Sequence, residues 1–187
     1  MRIEKLIQNF DIVVKLVHFP LHPDTPADGR ALQDLFRSSP QSIAEKYARM
    51  KALMEAEGLP YAERSHTYNS RLAQELGSWA DTVDSTGAIH DALYRAYFVD
   101  RRNIGDKGIL LDVAESVGLE RDDARKVLDE RTFRAVVDAD WTKSRDYGVT
   151  GVPTFVVGRA GIVGAQPYDA IERLLIEAGV KHRSSAP

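Results

Sequence analysis

The sequence of 187 residues contains no cysteine. This absence excludes disulfide bonds, thiolate zinc sites, iron–sulfur clusters and a cysteine nucleophile within these residues. The formal net charge is −3, so the chain lacks the basic excess that favours binding to nucleic acids or anionic membranes. No apolar run approaches the about 18–20 residues of a membrane helix, and residues 2–5 are too charged for a signal-peptide core. We therefore expect a cytoplasmic protein that binds neither nucleic acid nor membrane.

The remaining composition is that of a soluble globular protein. Apolar residues make up 43% of the chain and charged residues 28%, which excludes wholesale disorder. The length fits one domain, or a small domain that carries a large insertion, and it suffices for a packed core.

Helical periodicity dominates the middle of the chain. Ser39-Pro40 is a favourable helix start, because proline is well tolerated at the first helical position. Asp106 is a candidate N-cap for a later helix. Apolar residues at helical spacing predict helices that start near Pro40, Leu72, Ile89, Asp106, Arg121 and Phe133. We expect these helices to form one inserted, all-helical subdomain over residues 31–147.

The segments before the helices have other patterns. Residues 1–10 carry apolar side chains at helical spacing, which predicts the end of an amphipathic helix. No N-cap residue precedes them. Residues 11–19 are short, rich in β-branched side chains and stopped by Pro20, which predicts a buried strand. Residues 20–30 contain three prolines and a glycine and predict a loop.

The segments after the helices return to a strand pattern. Residues 154–157 and 162–163 predict two strands joined by a turn at 158–161, and Pro167 opens a last helix. Because an isolated hairpin is only marginally stable, we expect it to pair with the strand at residues 11–19 across the insertion. The sequence therefore predicts an α/β domain from residues 1–30 and 148–180.

A glycine-proline turn before the hairpin carries the most specific motif. The segment from Gly148 to Phe155 reads GVTGVPTF and resembles the GV-x-G-VP-T-F signature of the DsbA family. Three helical segments and one further turn also resemble its FrnE-like branch, namely Tyr68–Ala73, Arg95–Phe98, Asn103–Asp106 and Gly164–Pro167. The chain is similar as well to 2-hydroxychromene-2-carboxylate isomerase and to kappa-class glutathione transferase. The resemblance extends over nearly the whole chain.

The resemblance implies a thioredoxin-like fold with an inserted helical subdomain, and it also marks a departure. The family opens with a strand and a Cys-x-x-Cys motif at the start of its first helix, whereas the match here begins partway along that helix. We therefore expect that the first strand is missing and that this chain is inactive in thiol–disulfide exchange, since exchange requires a thiolate. We assign no catalytic residue. A rearranged segment or another chain is expected to fill the gap.

The resemblance also implies where substrate binds. In the family the peptide bond before the proline, here Val152-Pro153, is cis, and the residue before the proline pairs with substrate backbone. The candidate substrate-binding residues are Thr150, Gly151, Val152, Pro153, Asn69 and Gln166. Asn69 has an alternative interpretation as a helix N-cap. Gln166 has one too, because Pro167 alone explains a helix start there.

Histidine pairs give no metal site. His18 and His22 are four residues apart, but along a predicted strand and loop, with no third ligand at suitable spacing. We therefore predict no metal and no resident cofactor.

Three functions remain open from sequence. The first is a FrnE-type protein disulfide oxidoreductase or isomerase that acts on polypeptide thiols and disulfides. The second is a glutathione-dependent isomerase or transferase with a small-molecule substrate, for which glutathione supplies the sulfur. The third is a redox-dead binding or chaperone-like module that retains the substrate-binding groove but has lost the chemistry. A homodimer is plausible for any of them, because it would cover an exposed sheet edge.

Overall fold

The computed structural model describes residues 2–183. Contacts divide the chain into two compact units. Residues up to 21 and from 140 onward form the first, which we call the hairpin unit, and residues 22–139 form the second, the helical unit. The sequence places the corresponding boundaries near residues 30 and 148.

The described residues form helices and a few short strands. In chain order they are α1 (Arg2–Asn9), β1 (Arg30–Ala31), α2 (Leu32–Phe36), α3 (Pro40–Ala56), β2 (His66–Thr67), α4 (Arg71–Val83), α5 (Ala88–Phe98), α6 (Lys107–Ser116), α7 (Arg121–Glu130), α8 (Arg134–Asp146), β3 (Thr154–Val157), β4 (Ala160–Val163) and α9 (Tyr168–Glu177). Within the described residues, no helix is long and apolar enough to cross a membrane.

The hairpin unit is built on the antiparallel pair β3–β4, as the sequence predicts. Thr154 lies opposite Val163 and Val157 opposite Ala160, so the chain reverses at Gly158, whose φ is +60°. One amphipathic face of α1 packs against α9 through a small core of Leu6, Phe10, Ile171 and Leu175. An isolated bridge between Phe10 and His182 adds the only further pairing among the described residues of this unit.

The predicted strand at residues 11–19 is wrong. No residue of this segment lies in a strand, and four of its apolar side chains are exposed, namely Val13, Val14, Leu16 and Val17, with Val13 97% exposed. Its backbone is held at a few points only, such as Asp11 N to Lys181 O at 3.0 Å and His18 N to Asp140 Oδ2 at 3.1 Å. β-branched composition alone does not form a ladder, because a strand also needs a partner within hydrogen-bonding distance.

The helical unit confirms the helices and both predicted caps. The Ser39 hydroxyl accepts from Ser42 N at the start of α3, and Asp106 Oδ1 accepts from Ile109 N at the start of α6. The two-residue ladder β1–β2 pairs Arg30 with Thr67, and sequence analysis misses it together with α2. The core joins α4, α5, α6 and α7, and its most enclosed side chains are Leu76, Ile89, Leu110 and Leu128.

A buried carboxylate ties the helices of this unit together. Glu75 on α4 is fully buried and accepts from Arg71 Nε at 2.7 Å and from Arg131 Nε and Nη2 at 2.7 and 2.8 Å. Arg71 also pairs with Asp138 on α8 at 2.7 Å. Arg131 ends α7 in the left-handed conformation, with φ +56°. The ion network therefore fixes α4 against the α7–α8 corner.

Candidate functional site

The segment from Gly148 to Pro153 connects α8 to the hairpin. Its start closes the helix, because Gly148 N donates to Arg145 O at 2.8 Å and Val149 N donates to Ser144 O at 2.9 Å. Gly148 has φ +66°, a conformation that glycine adopts without steric cost. The Val152-Pro153 peptide bond is cis. We call residues 150–153 the proline loop.

Two hydrogen bonds fix one side of the proline loop to the hairpin. Thr154 Oγ1 donates to Gly151 O at 2.6 Å, and Gly164 N donates to Pro153 O at 2.7 Å. Both bonds use carbonyl oxygens of the loop. The position of the loop is therefore set by the first residue of β3 and by the residue that follows β4.

The opposite side of the proline loop is open. Val152 is 50% exposed, and a Cβ built on Gly151 would meet nothing within 4 Å. Among residues 2–183, neither the N–H nor the C=O of Val152 has a hydrogen-bond partner. A free donor and acceptor on one exposed residue next to a strand can pair with one residue of an extended peptide.

Gln166 lies beside this loop in the same unit but is occupied by its own turn. Its Nε2 donates to Val163 O at 2.7 Å, and its backbone N donates to Gly164 O at 2.8 Å. Arg2 Nη1 on α1 donates to Gln166 O at 2.7 Å. These bonds stabilise the turn that supplies Gly164 N to the proline loop, and a direct role of Gln166 in substrate binding stays a prediction.

Asn69 lies in the helical unit, and its side chain forms hydrogen bonds with backbone groups of the same unit. Nδ2 donates to Pro23 O at 3.1 Å and to Thr25 O at 2.9 Å, and Oδ1 accepts from Arg71 N at 2.9 Å. The N-cap of α4 is Ser70, so the interpretation of Asn69 as the N-cap is wrong by one residue. The acceptors are backbone carbonyls of the loop at residues 20–30. Because every residue has a backbone carbonyl, the sequence carries no sign of this contact.

Burial, followed by the nearby Arg30 guanidinium, lowers the pKa of His22 in the helical unit. Over the described part of the chain, no group of three or more histidines, aspartates or glutamates is arranged to hold a metal ion.

Sequence analysis misses a cavity in the helical unit. It lies between the β1–α2–α3 segment and the residues around β2, and Arg64, His66 and Tyr97 are among its lining residues. Arg64 lies in a short connection without periodicity, so the sequence pattern carries no sign of its role. The aromatic residues Tyr97 and Phe98, against which Arg64 packs, are visible in sequence, where they indicate either core packing or an apolar groove on the inserted subdomain.

Comparisons with known proteins give one matching family model and several similar proteins. Residues 1–175 match the DSBA-like thioredoxin domain. The crystal structure of a probable DsbA oxidoreductase from Streptomyces coelicolor is 28% identical and superposes with a TM-score of 0.86 over 100% of this chain and 86% of that chain. The uncharacterized protein YwbO of Bacillus subtilis (strain 168) is 27% identical over 92% of this chain and 85% of its own length. A crystal structure from Nitrosomonas europaea, 16% identical with a TM-score of 0.62 over 75% of this chain and 74% of that chain, shares the fold.

Proposed function

This chain belongs to the DSBA-like thioredoxin domain family. We propose that it is a chain of the FrnE-type protein disulfide oxidoreductase or isomerase kind that binds extended polypeptide at its proline loop but is itself inactive in disulfide exchange. The 187 residues contain no cysteine. Disulfide exchange proceeds through attack of a thiolate on a disulfide sulfur. These residues therefore bind the substrate without themselves exchanging its disulfides.

One observation carries the proposal, namely the unpaired backbone of Val152. Its N–H and C=O lack partners within the described chain, while the carbonyls on either side of it are held by Thr154 and Gly164. The residue is therefore presented in a fixed position with both polar groups free. Main-chain pairing of this kind gives affinity that depends little on side-chain sequence, which suits a protein that acts on many polypeptides.

The apolar surroundings of the loop support an unfolded substrate. Val152 and Val163 are each about half exposed, at 50% and 51%, and Val156 on β3 is exposed as well. Exposed aliphatic side chains next to a free backbone edge favour a partner that offers both apolar side chains and backbone. An unfolded polypeptide offers both.

The test is a titration of the ¹⁵N-labelled chain with reduced, carboxymethylated α-lactalbumin, an unfolded client without free thiols. We expect saturable amide shift changes at Gly151 and Val152. Val152→Asp places a charge on the binding edge and should weaken the affinity at least tenfold. Ile176→Asp makes the same change at an aliphatic residue of the same unit that is 52% exposed, and it should leave the affinity within twofold.

The outcomes separate polypeptide binding from glutathione-dependent chemistry. Saturable binding of the client supports the proposal. Shift changes at Gly151 and Val152 with glutathione alone, and none with the client, would instead favour a glutathione-dependent isomerase or transferase. Client binding that Val152→Asp and Ile176→Asp weaken equally would refute the proline loop as the binding site.

A further inference from the structure

The cavity of the helical unit has the size and lining of a small-molecule site. Its volume is about 560 Å³, within the range of about 300–1,000 Å³ that ligand pockets have. One wall is aliphatic and comes from β1, α2 and α3, including Leu32, Ile43 and Ala44. The facing wall is polar and aromatic and includes Arg64 and Tyr97. The two walls differ in chemistry, which favours an amphipathic ligand.

The Arg64 guanidinium on the polar wall is held rigidly. Its carbon lies 4.4 Å from the ring centroid of Tyr97 and 4.9 Å from that of Phe98. Nη1 donates to Tyr97 Oη and approaches His66 O at 3.4 Å. Tyr97 Oη is in turn 3.0 Å from Thr67 Oγ1, a buried hydroxyl. Stacking and hydrogen bonds already fix the Arg64 side chain. A ligand that binds it therefore costs little further side-chain conformational entropy.

The other edge of the same guanidinium has no acceptor. Nε is buried and lacks a hydrogen-bond partner, and Nη2 also has none among residues 2–183. Nε has no accessible surface, whereas Nη2 is not enclosed, so Nη2 is the donor of this edge that a ligand oxygen can reach. A guanidinium N–H forms a strong, charge-assisted hydrogen bond with a carboxylate oxygen. Arg64 forms no ion pair within the described chain, and its neighbour Glu63 is exposed.

A second cation lines the same cavity. Arg101 is exposed and has φ +60°, a left-handed conformation that is unfavourable for a residue with a Cβ. Such strain concentrates at ligand sites, where the surrounding structure maintains it. Arg101 forms no hydrogen bond or ion pair with any described residue. Arg64 and Arg101 contribute two positive charges to the lining of the cavity and Glu63 contributes one negative charge, so the polar side carries an excess of positive charge.

We propose that this cavity binds a small aliphatic carboxylate, with its carboxylate on Nη2 of Arg64 and its alkyl chain along Leu32, Ile43 and Ala44. Arg101 adds long-range attraction for the anion. The site belongs wholly to the helical unit and is independent of polypeptide binding at the proline loop.

The test uses octanoate as the probe, with 1-octanol and n-octylammonium as matched controls of equal chain length. We expect octanoate to give saturable amide shift changes at Ala31, Ala44 and His66 in the full chain. The neutral alcohol should bind at least tenfold more weakly, because its uncharged hydroxyl oxygen accepts a much weaker hydrogen bond from the guanidinium than a carboxylate oxygen does. The ammonium should bind more weakly still, because the two arginines repel it.

Two variants assign the contact. Arg64→Lys retains the charge but removes the Nη2 group that contacts the carboxylate, so the octanoate affinity should fall at least tenfold. Arg101→Gln removes a charge without touching the proposed contact and should lower the affinity only about threefold. If Arg64→Lys fails to fold, as judged by circular dichroism, the comparison of the three probes on the wild-type chain still decides. Equal binding of octanoate and octylammonium, or octanoate shifts confined to other residues, would overturn the proposal.

Discussion

Replacement of Glu75 by glutamine tests whether the buried ion network holds the helical unit together. The substitution retains the shape of the side chain but removes the charge that accepts three hydrogen bonds of 2.7–2.8 Å from Arg71 and Arg131. Removing one partner of a buried ion pair costs about 3–5 kcal/mol. Arg131 is 38% exposed and recovers hydration, and Arg71 retains Asp138, which places the loss at about 3 kcal/mol.

Urea unfolding followed by circular dichroism at pH 7 measures this loss. Glu115→Gln is the matched control, because Glu115 forms a surface ion pair with Arg121 and its side chain is 64% exposed. Exposed pairs contribute about 0–1 kcal/mol, so this variant should unfold almost as the wild type does. A loss below about 1 kcal/mol for Glu75→Gln, within the range of a surface pair, would refute the argument that the network is stabilising.

The same network predicts how stability depends on pH. Burial acts to raise the pKa of Glu75, but the hydrogen bonds from Arg131 and Arg71 outweigh it and hold the pKa below its ordinary value. A carboxyl group whose pKa is lowered in the folded state makes its full contribution to the free energy of unfolding above its unfolded pKa of about 4.3. That stabilisation is lost as the pH falls through the folded-state pKa. The difference in unfolding free energy between wild type and Glu75→Gln should therefore be constant near neutral pH and narrow below about pH 4.

Two further predictions concern local structure in the helical unit. Asp106→Ala removes the side-chain cap of α6 and should cost about 1 kcal/mol in urea unfolding, whereas Glu120→Ala, at an N-cap without a side-chain bond, should cost less than half of that. Gly29→Ala should destabilise more than Gly58→Ala in the same assay, because both have positive φ but only the Cβ at Gly29 would lie 2.7 Å from the ring of Tyr68; equal losses would contradict this reasoning.

The helices could be predicted from the sequence because their determinants are local. Apolar side chains at helical spacing and the capping residues Ser39 and Asp106 lie within a few positions of the structure that they specify. The hairpin β3–β4 could be predicted for the same reason, since its two strands are joined directly. The family resemblance could be recognised from the motif at Gly148–Phe155, and the fold of the matching family agrees with it.

The strands that depend on distant partners could not be predicted correctly. Residues 11–19 have strand composition, yet the described chain gives them no ladder. The pair β1–β2 joins Arg30 to Thr67 across more than thirty positions, and two residues are too few for any periodicity to appear. In both cases tertiary contacts, rather than local propensity, decide the outcome.

The candidate site could be predicted only in part for a related reason. The motif identifies the proline loop, but the free backbone of Val152 and the bonds from Thr154 and Gly164 appear only in the folded hairpin unit. The role of Arg64 could not be predicted from the sequence. Its stacking on Tyr97 and Phe98 and its unpaired Nε appear only in the folded helical unit. Unsatisfied polar groups are properties of the tertiary structure and have no sequence pattern.

The most direct test of polypeptide binding at the proline loop is an isotope-edited nuclear Overhauser measurement. The labelled chain is mixed with an unlabelled, cysteine-free peptide of extended, apolar sequence. We predict contacts between the Val152 amide proton and backbone protons of the peptide, as in the pairing of two strands. A bound peptide whose contacts lie elsewhere and leave Val152 untouched would contradict the account.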